Sequence, residues 1–194
     1  MINLKEHIFP FESFIGGWYI PKEICDNIIK FFKKNKQRWE IGKLGYSDID
    51  VNRKESTDMY IDARDFNFPF LEYRKCISQI IQNYEKKYDI LKKHMSYNVV
   101  EHYNIQYYKP KQGFKVWHNE RSIPSHRVLV FMTYLNDVKD GGTEFLYQKI
   151  TSPAKKGLTL LWPTDFTHTH KGHISEKYEK FIVTGWLSFE NLKF

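Results

Sequence analysis

Apolar residues fall at two different spacings along the chain. From Pro21 to about Lys36 the stretch PKEICDNIIKFFKK sets Ile24, Ile28 and Phe32 on one helical face, with Pro21 suited to the first turn. A second helix is predicted from about Phe70 to Leu91, with Tyr73, Ile77, Ile80, Ile81, Tyr84 and Tyr88 as its apolar stripe. Between them, KLGYSDIDVNRKESTDMYID has little helical period and predicts an irregular segment with one or two short strands. Beyond Met95 the texture changes. YNVVEHYNIQYYK, HRVLVFMTYLND, GGTEFLYQ, GLTLLWP and EKFIVTGWLSF are short β-branched and aromatic runs punctuated by Gly, Pro and Asp, the pattern of strands. Two helices followed by several strands predict an α+β domain, a sandwich or jelly roll with helices buttressing one side.

Composition narrows this to one domain. With 194 residues, 41% of them hydrophobic, the chain can bury a single sizeable core. Residues 1–194 are therefore taken as one unit, with 1–95 mainly helical support and 96–194 the strand core. Aromatics at 17% favour strands on a half-buried surface. The net charge of +7 is compatible with a nucleic-acid or acidic partner. Many of the lysines, such as Lys33, Lys34, Lys36, Lys86, Lys87, Lys92 and Lys93, instead sit on expected helix faces, where charge runs are ordinarily solvated. Cys25 and Cys76 fall within helical patterns, far from any Cys/His cluster, which suits small core residues in a reducing compartment. The first residues lack a basic stretch followed by an apolar one, and no run is long enough to cross a bilayer. The expectation is a soluble, cytoplasmic protein.

Candidate chemistry begins at FKVWHNERS. If this stretch is a strand, His118 and Glu120 project from one face and aim an imidazole and a carboxylate at one point. A His-x-carboxylate tripeptide is common by chance, so a metal site needs a further imidazole from elsewhere. The segment TDFTHTHKGH offers His168, His170 and His173, each of which is otherwise an ordinary polar residue at a strand end. Ten residues beyond His170, Lys180 begins a strand in which Ile182, Thr184 and Trp186 share its face, and an inward lysine must meet an anion.

From Tyr108 to Trp186 these motifs resemble the iron(II)/2-oxoglutarate-dependent dioxygenases of the prolyl 4-hydroxylase-like group. That group has His-x-Asp/Glu, a distal His, and Arg or Lys about ten residues later. By that resemblance His118, Glu120 and His170 are the metal ligands and catalytic centre, with His170 favoured over its neighbours by its distance from Lys180. The resemblance likewise implies Lys180, Tyr134, Thr184, Tyr108 and Trp186 as the cosubstrate-binding residues, while Arg127, seven residues before Tyr134, is either a residue of the substrate mouth or an ordinary surface arginine. The GG-T-E stretch from Gly141 and AKKGLTLLWP resemble the turn and strand before the distal histidine. One departure is Glu120, where the prolyl hydroxylases usually carry Asp. Glutamate remains a suitable hard oxygen ligand, with longer reach, and a carboxylate there argues against a halogenase.

The resemblance implies a double-stranded β-helix (jelly roll) core with N-terminal buttressing helices. It implies Fe(II), 2-oxoglutarate and O₂ as cofactors and cosubstrates, and ascorbate as a reductant that rescues oxidised iron. The implied reaction hydroxylates a C–H bond of a prolyl or other peptidyl side chain, releasing succinate and CO₂. The partner is then a protein, a peptide or a small molecule. Two alternatives stay open: oxidative demethylation of nucleic acid, and a non-oxidative metal-binding jelly-roll module. The segments 42–65 and 121–126 are candidates for the border of the site.

Overall fold

The computed structural model describes residues 2–45, 48–94, 96–121 and 126–189. In chain order the elements are β1 (Lys5–Glu6), β2 (Gly16–Tyr19), α1 (Lys22–Lys34), β3 (Glu40–Ile41), β4 (Thr57–Ile61), α2 (Phe70–Lys87), α3 (Ile90–His94), β5 (Tyr97–Asn98) and β6 (Tyr103–Tyr108). They continue with β7 (Arg127–Tyr134), β8 (Thr143–Phe145), β9 (Ile150–Thr151), β10 (Leu158–Pro163), β11 (His170–Gly172) and β12 (Lys180–Phe189). The large sheet runs β1-β2-β10-β7-β12-β6-β4-β3, with β5 beside β12, and a smaller sheet runs β11-β8-β9. Both are antiparallel throughout. This is the jelly roll with helices that the pattern predicts.

Strand alternation divides the large sheet into two faces. Tyr103, Ile105, Phe131, Phe181 and Val183 pack against Ile28 and Phe32 of α1 and Tyr73, Ile77 and Ile80 of α2. The intervening residues Met132, Tyr134, Leu160 and Ile182 face the other way and meet Phe145 of the small sheet. Each fully buried side chain of this size contributes about 1.5–3 kcal/mol relative to exposure, so the helices clamp the sheet that carries the site.

α1 follows its apolar face closely, burying Cys25, Ile28 and Phe32 with Glu23 in the first turn and Lys33 and Lys34 in the last, as the helix dipole favours. α2 ends four residues earlier than its periodicity suggests, because Tyr88 leaves helical geometry. Its hydroxyl donates to Phe11 O at 2.7 Å and its ring packs on Phe11 and Phe14. A tertiary tie thus overrides a continuing helical pattern. The first half of the chain also supplies four strands, β1 to β4, to the large sheet. Among the described residues no helix is long and apolar enough to cross a membrane.

Candidate active site

His118 lies on the connection between β6 and β7. Its stretch is not the strand that the tripeptide suggests but an isolated bridge to the head of β11. His118 N donates to His170 O at 3.0 Å and His170 N to His118 O at 2.8 Å, while Glu120 N donates to Thr164 O at 3.1 Å. These backbone bonds bring the side chains together. Oε1 of Glu120 lies 3.6 Å from Nε2 of His118 and 3.8 Å from Nε2 of His170, and the donor atoms of all three residues lie within 4.8 Å of one another.

The remaining ring nitrogens face carbonyl oxygens: Nδ1 of His118 is 3.1 Å from Val116 O and Nδ1 of His170 is 2.8 Å from His168 O. A carbonyl only accepts, so the neutral tautomer that suits each ring carries its proton on Nδ1 and leaves the Nε2 lone pair for a metal. Phe114 stacks on the His118 ring, centroids 3.6 Å apart, and Trp162 meets the His170 ring edge-on. Burial, reinforced by His118, pushes the His170 pKa down to about 3. Burial alone would raise Glu120, but it is outweighed by His118, His170 and Arg127, which hold the carboxyl at about 2. At neutral pH the cluster therefore holds a neutral His170 imidazole and an ionised carboxylate. Two imidazoles and one carboxylate suit Fe(II) and leave coordination positions free.

The other two histidines do different work. Nε2 of His168 is 3.0 Å from Ser13 O, and His173 pairs with Glu144 at 2.9 Å.

The triad opens onto a cavity of about 120 Å³ that reaches Lys180, Tyr134, Tyr108, Thr184 and Trp186. Lys180 is only 5% exposed. Its ammonium donates to His173 O at 2.8 Å and Gly141 O at 3.2 Å, both neutral acceptors. No carboxylate pairs with it among the described residues, and burial lowers its pKa to about 8. A buried cation without a counter-charge is a site prepared for an anion. The Tyr108 ring lies 5.3 Å from the ammonium. The Tyr134 hydroxyl shares hydrogen bonds with Thr143 Oγ1 at 2.7 Å and Ser152 Oγ at 2.9 Å. Gly142 makes this corner possible, since a Cβ there would sit 1.8 Å from Ser152 O.

Trp186 and Arg127 reach the triad itself through Glu120. The Trp186 indole donates to Glu120 Oε2 at 3.0 Å, and Arg127 lies over the Trp186 ring at 3.5 Å. Sequence reasoning missed Glu101, which pairs with Arg127. It also missed the Thr143 and Ser152 hydroxyls and the buried pair of Lys54 and Asp58 at 2.7 Å. No linear pattern marks these contacts. Lys43, Gly45 and Lys54 line the cavity, so part of segment 42–65 does border it. Of the 121–126 loop, residues 122–125 lie outside the described residues.

Residues 103–188 match the 2OG-Fe(II) oxygenase superfamily, a span that contains the triad and Lys180. No curated protein matches the sequence. Among solved structures, a prolyl-4-hydroxylase of Pseudomonas putida is similar at 13% identity and TM-score 0.68, covering 92% of this chain and 94% of that one. The viral collagen prolyl hydroxylase of Paramecium Bursaria Chlorella virus-1, solved with 2OG, shares 17% identity at TM-score 0.69, covering 91% and 97%. A prolyl hydroxylase of Trichoplax adhaerens, solved with a peptide fragment of the hypoxia inducible factor oxygen degradation domain, shares 11% at TM-score 0.73, covering 91% and 84%. The match to the 2OG-Fe(II) oxygenase superfamily thus lies on the strands and loops that assemble the triad, within a jelly roll whose fold is similar to that of prolyl hydroxylases.

Proposed function

We propose that the chain hydroxylates a C–H bond of a peptidyl side chain, prolyl first among them, consuming O₂ and 2-oxoglutarate and releasing succinate and CO₂. The observation that carries this is the union, in one cavity, of a His118–Glu120–His170 cluster and the uncompensated Lys180 ammonium. Nε2 of both histidines and Oε1 of Glu120 hold Fe(II). Lys180 binds the far carboxylate of 2-oxoglutarate as a point charge, and Tyr134 and Thr184, which line the same cavity, add hydrogen bonds through their hydroxyls. When bound, iron with its keto-acid cosubstrate supplies the oxidising chemistry, and the protein supplies position. Phe114, Trp162 and Phe145 crowd the histidine rings and keep bulk water from them. Ascorbate supports turnover by keeping iron reduced.

The peptide substrate follows the Trichoplax neighbour, which was captured with a peptide. The uncompensated lysine counts against a non-oxidative metal module, which has no use for a buried cation beside its metal. The whole chain acts as one catalytic domain, since helices and sheet share a core. The buried free thiols of Cys25 and Cys76 suit a reducing, cytoplasmic setting.

The test is aerobic incubation with Fe(II), 2-oxoglutarate, ascorbate and paired peptides that carry proline or alanine at one position. Succinate formation with one oxygen atom added to the proline peptide alone is expected. Succinate with no oxidised peptide would remove the peptidyl substrate, and no succinate at all would remove the enzymatic role.

A further inference from the structure

The two oxygens of Glu120 have different surroundings. Oε1 faces both imidazole Nε2 atoms. Oε2 is turned away, where it accepts the Trp186 indole N–H at 3.0 Å and lies 3.5 Å from Nη1 of Arg127. Neither group is loosely placed. The guanidinium lies on the face of the Trp186 ring, 3.5 Å from its centroid, and meets Glu101 through both Nε and Nη2, at 3.0 and 2.6 Å. Glu101 is held in turn by the Ser188 hydroxyl at 2.8 Å, on the strand that carries Trp186.

A glutamate has one more rotatable bond than an aspartate, so its carboxylate can swing and offer both oxygens to a metal, occupying a position that a cosubstrate needs. We propose that Trp186 and Arg127, braced by Glu101 and Ser188, form a clamp that holds the outer oxygen of Glu120 and presents Oε1 alone to the metal. These are positioning residues, and the clamp accounts for glutamate in place of aspartate: the longer side chain spans the distance from the imidazoles to the indole. The inference rests on the metal-binding role proposed above. It removes Trp186 from the set that contacts 2-oxoglutarate and assigns Arg127 to the metal ligand instead of the substrate.

The test is anaerobic titration of the purified full chain with Co(II), a spectroscopic stand-in for Fe(II), following its visible ligand-field absorption, with thermal melts as the check on folding. Trp186→Phe removes the indole N–H while keeping an aromatic ring, and Glu101→Gln keeps the shape of the brace while removing its charge. Loss of an outer-shell partner lowers metal affinity by about 10- to 100-fold in comparable sites. Trp186→Phe is expected near the lower end of that range, with an altered Co(II) spectrum, and Glu101→Gln is expected to weaken affinity in the same direction. Glu120→Asp, too short to reach the indole, is expected to weaken binding in the native background and to cost little more once Trp186→Phe is present. Should Trp186→Phe not fold, Glu101→Gln decides alone. Native affinity and an unchanged spectrum in the folded variants would overturn the clamp while leaving the metal site standing. No Co(II) binding by the native chain would instead overturn the metal site itself.

Discussion

At the scale of single residues, the uncompensated Lys180 makes the sharpest demands. Replacing it with methionine preserves bulk but removes a charged hydrogen-bonding partner worth about 1.5–3 kcal/mol. The KM for 2-oxoglutarate should rise about 10- to 100-fold in a succinate-release assay, and an unchanged KM would show that the anion binds elsewhere. Lys180 titrates near 8 in the free protein because burial disfavours its cation. The protonated form binds the carboxylate, so affinity is full below pH 8 and falls about tenfold per unit above it. A plot of KM for 2-oxoglutarate against pH should break upward near 8, and Lys180→Arg should abolish the break, since guanidinium stays charged. That His118, Glu120 and His170 cluster, with Lys180 in the same cavity, was legible in the sequence through the resemblance and the ten-residue step from His170 to Lys180. The Oε2 partners of Glu120 and the Ser152 hydroxyl beside Tyr134 were not, since nothing in linear order links position 101 to 127 or 134 to 152. Trp186 shares a strand face with Lys180, but which neighbour its indole meets depends on a loop that no periodicity describes.

At the scale of elements, the helices earn their place by packing. Phe32 is fully buried and stacks on Trp39 while meeting Phe181 edge-on, next to Lys180 in β12. Phe32→Ala should cost about 3–5 kcal/mol in denaturant unfolding, whereas Lys33→Ala on the exposed side should change stability by less than about 0.5 kcal/mol. A polar seam also crosses the layers: the Tyr73 hydroxyl of α2 meets Thr133 Oγ1 at 2.9 Å, which meets Thr159 Oγ1 at 2.8 Å. Tyr73→Phe should cost about 1 kcal/mol by the same measurement, and no cost would mean that the seam is neutral. The long elements were legible because several periods repeat the same signal. β1, β3, β5 and β9 are two residues each, too short to show alternation, and their existence depends on a neighbouring strand edge. β2 opens on two glycines, residues that weaken a strand, yet it is a strand because Gly16 and Gly17 pair with Leu161 and Leu160 of β10.

At the scale of the whole molecule, two sheets and a pair of long helices serve to hold three short segments in fixed relation: the loop with His118 and Glu120, the start of β11 with His170, and the start of β12 with Lys180. Metal bound only by the folded chain should stabilise it by about 2.7 kcal/mol at a free concentration of 100 Kd. Addition of Co(II) should therefore raise the melting temperature of the native chain, a chelator should reverse the rise, and His170→Ala should show little response. The most direct measurement is an anaerobic titration of 2-oxoglutarate into the Fe(II)-loaded protein, watching for the weak visible charge-transfer absorption of a keto acid chelated to iron. The band should appear, saturate, and be absent in His170→Ala. Iron binding by the native chain with no band at saturating 2-oxoglutarate would contradict the assembly of metal and cosubstrate in this cavity.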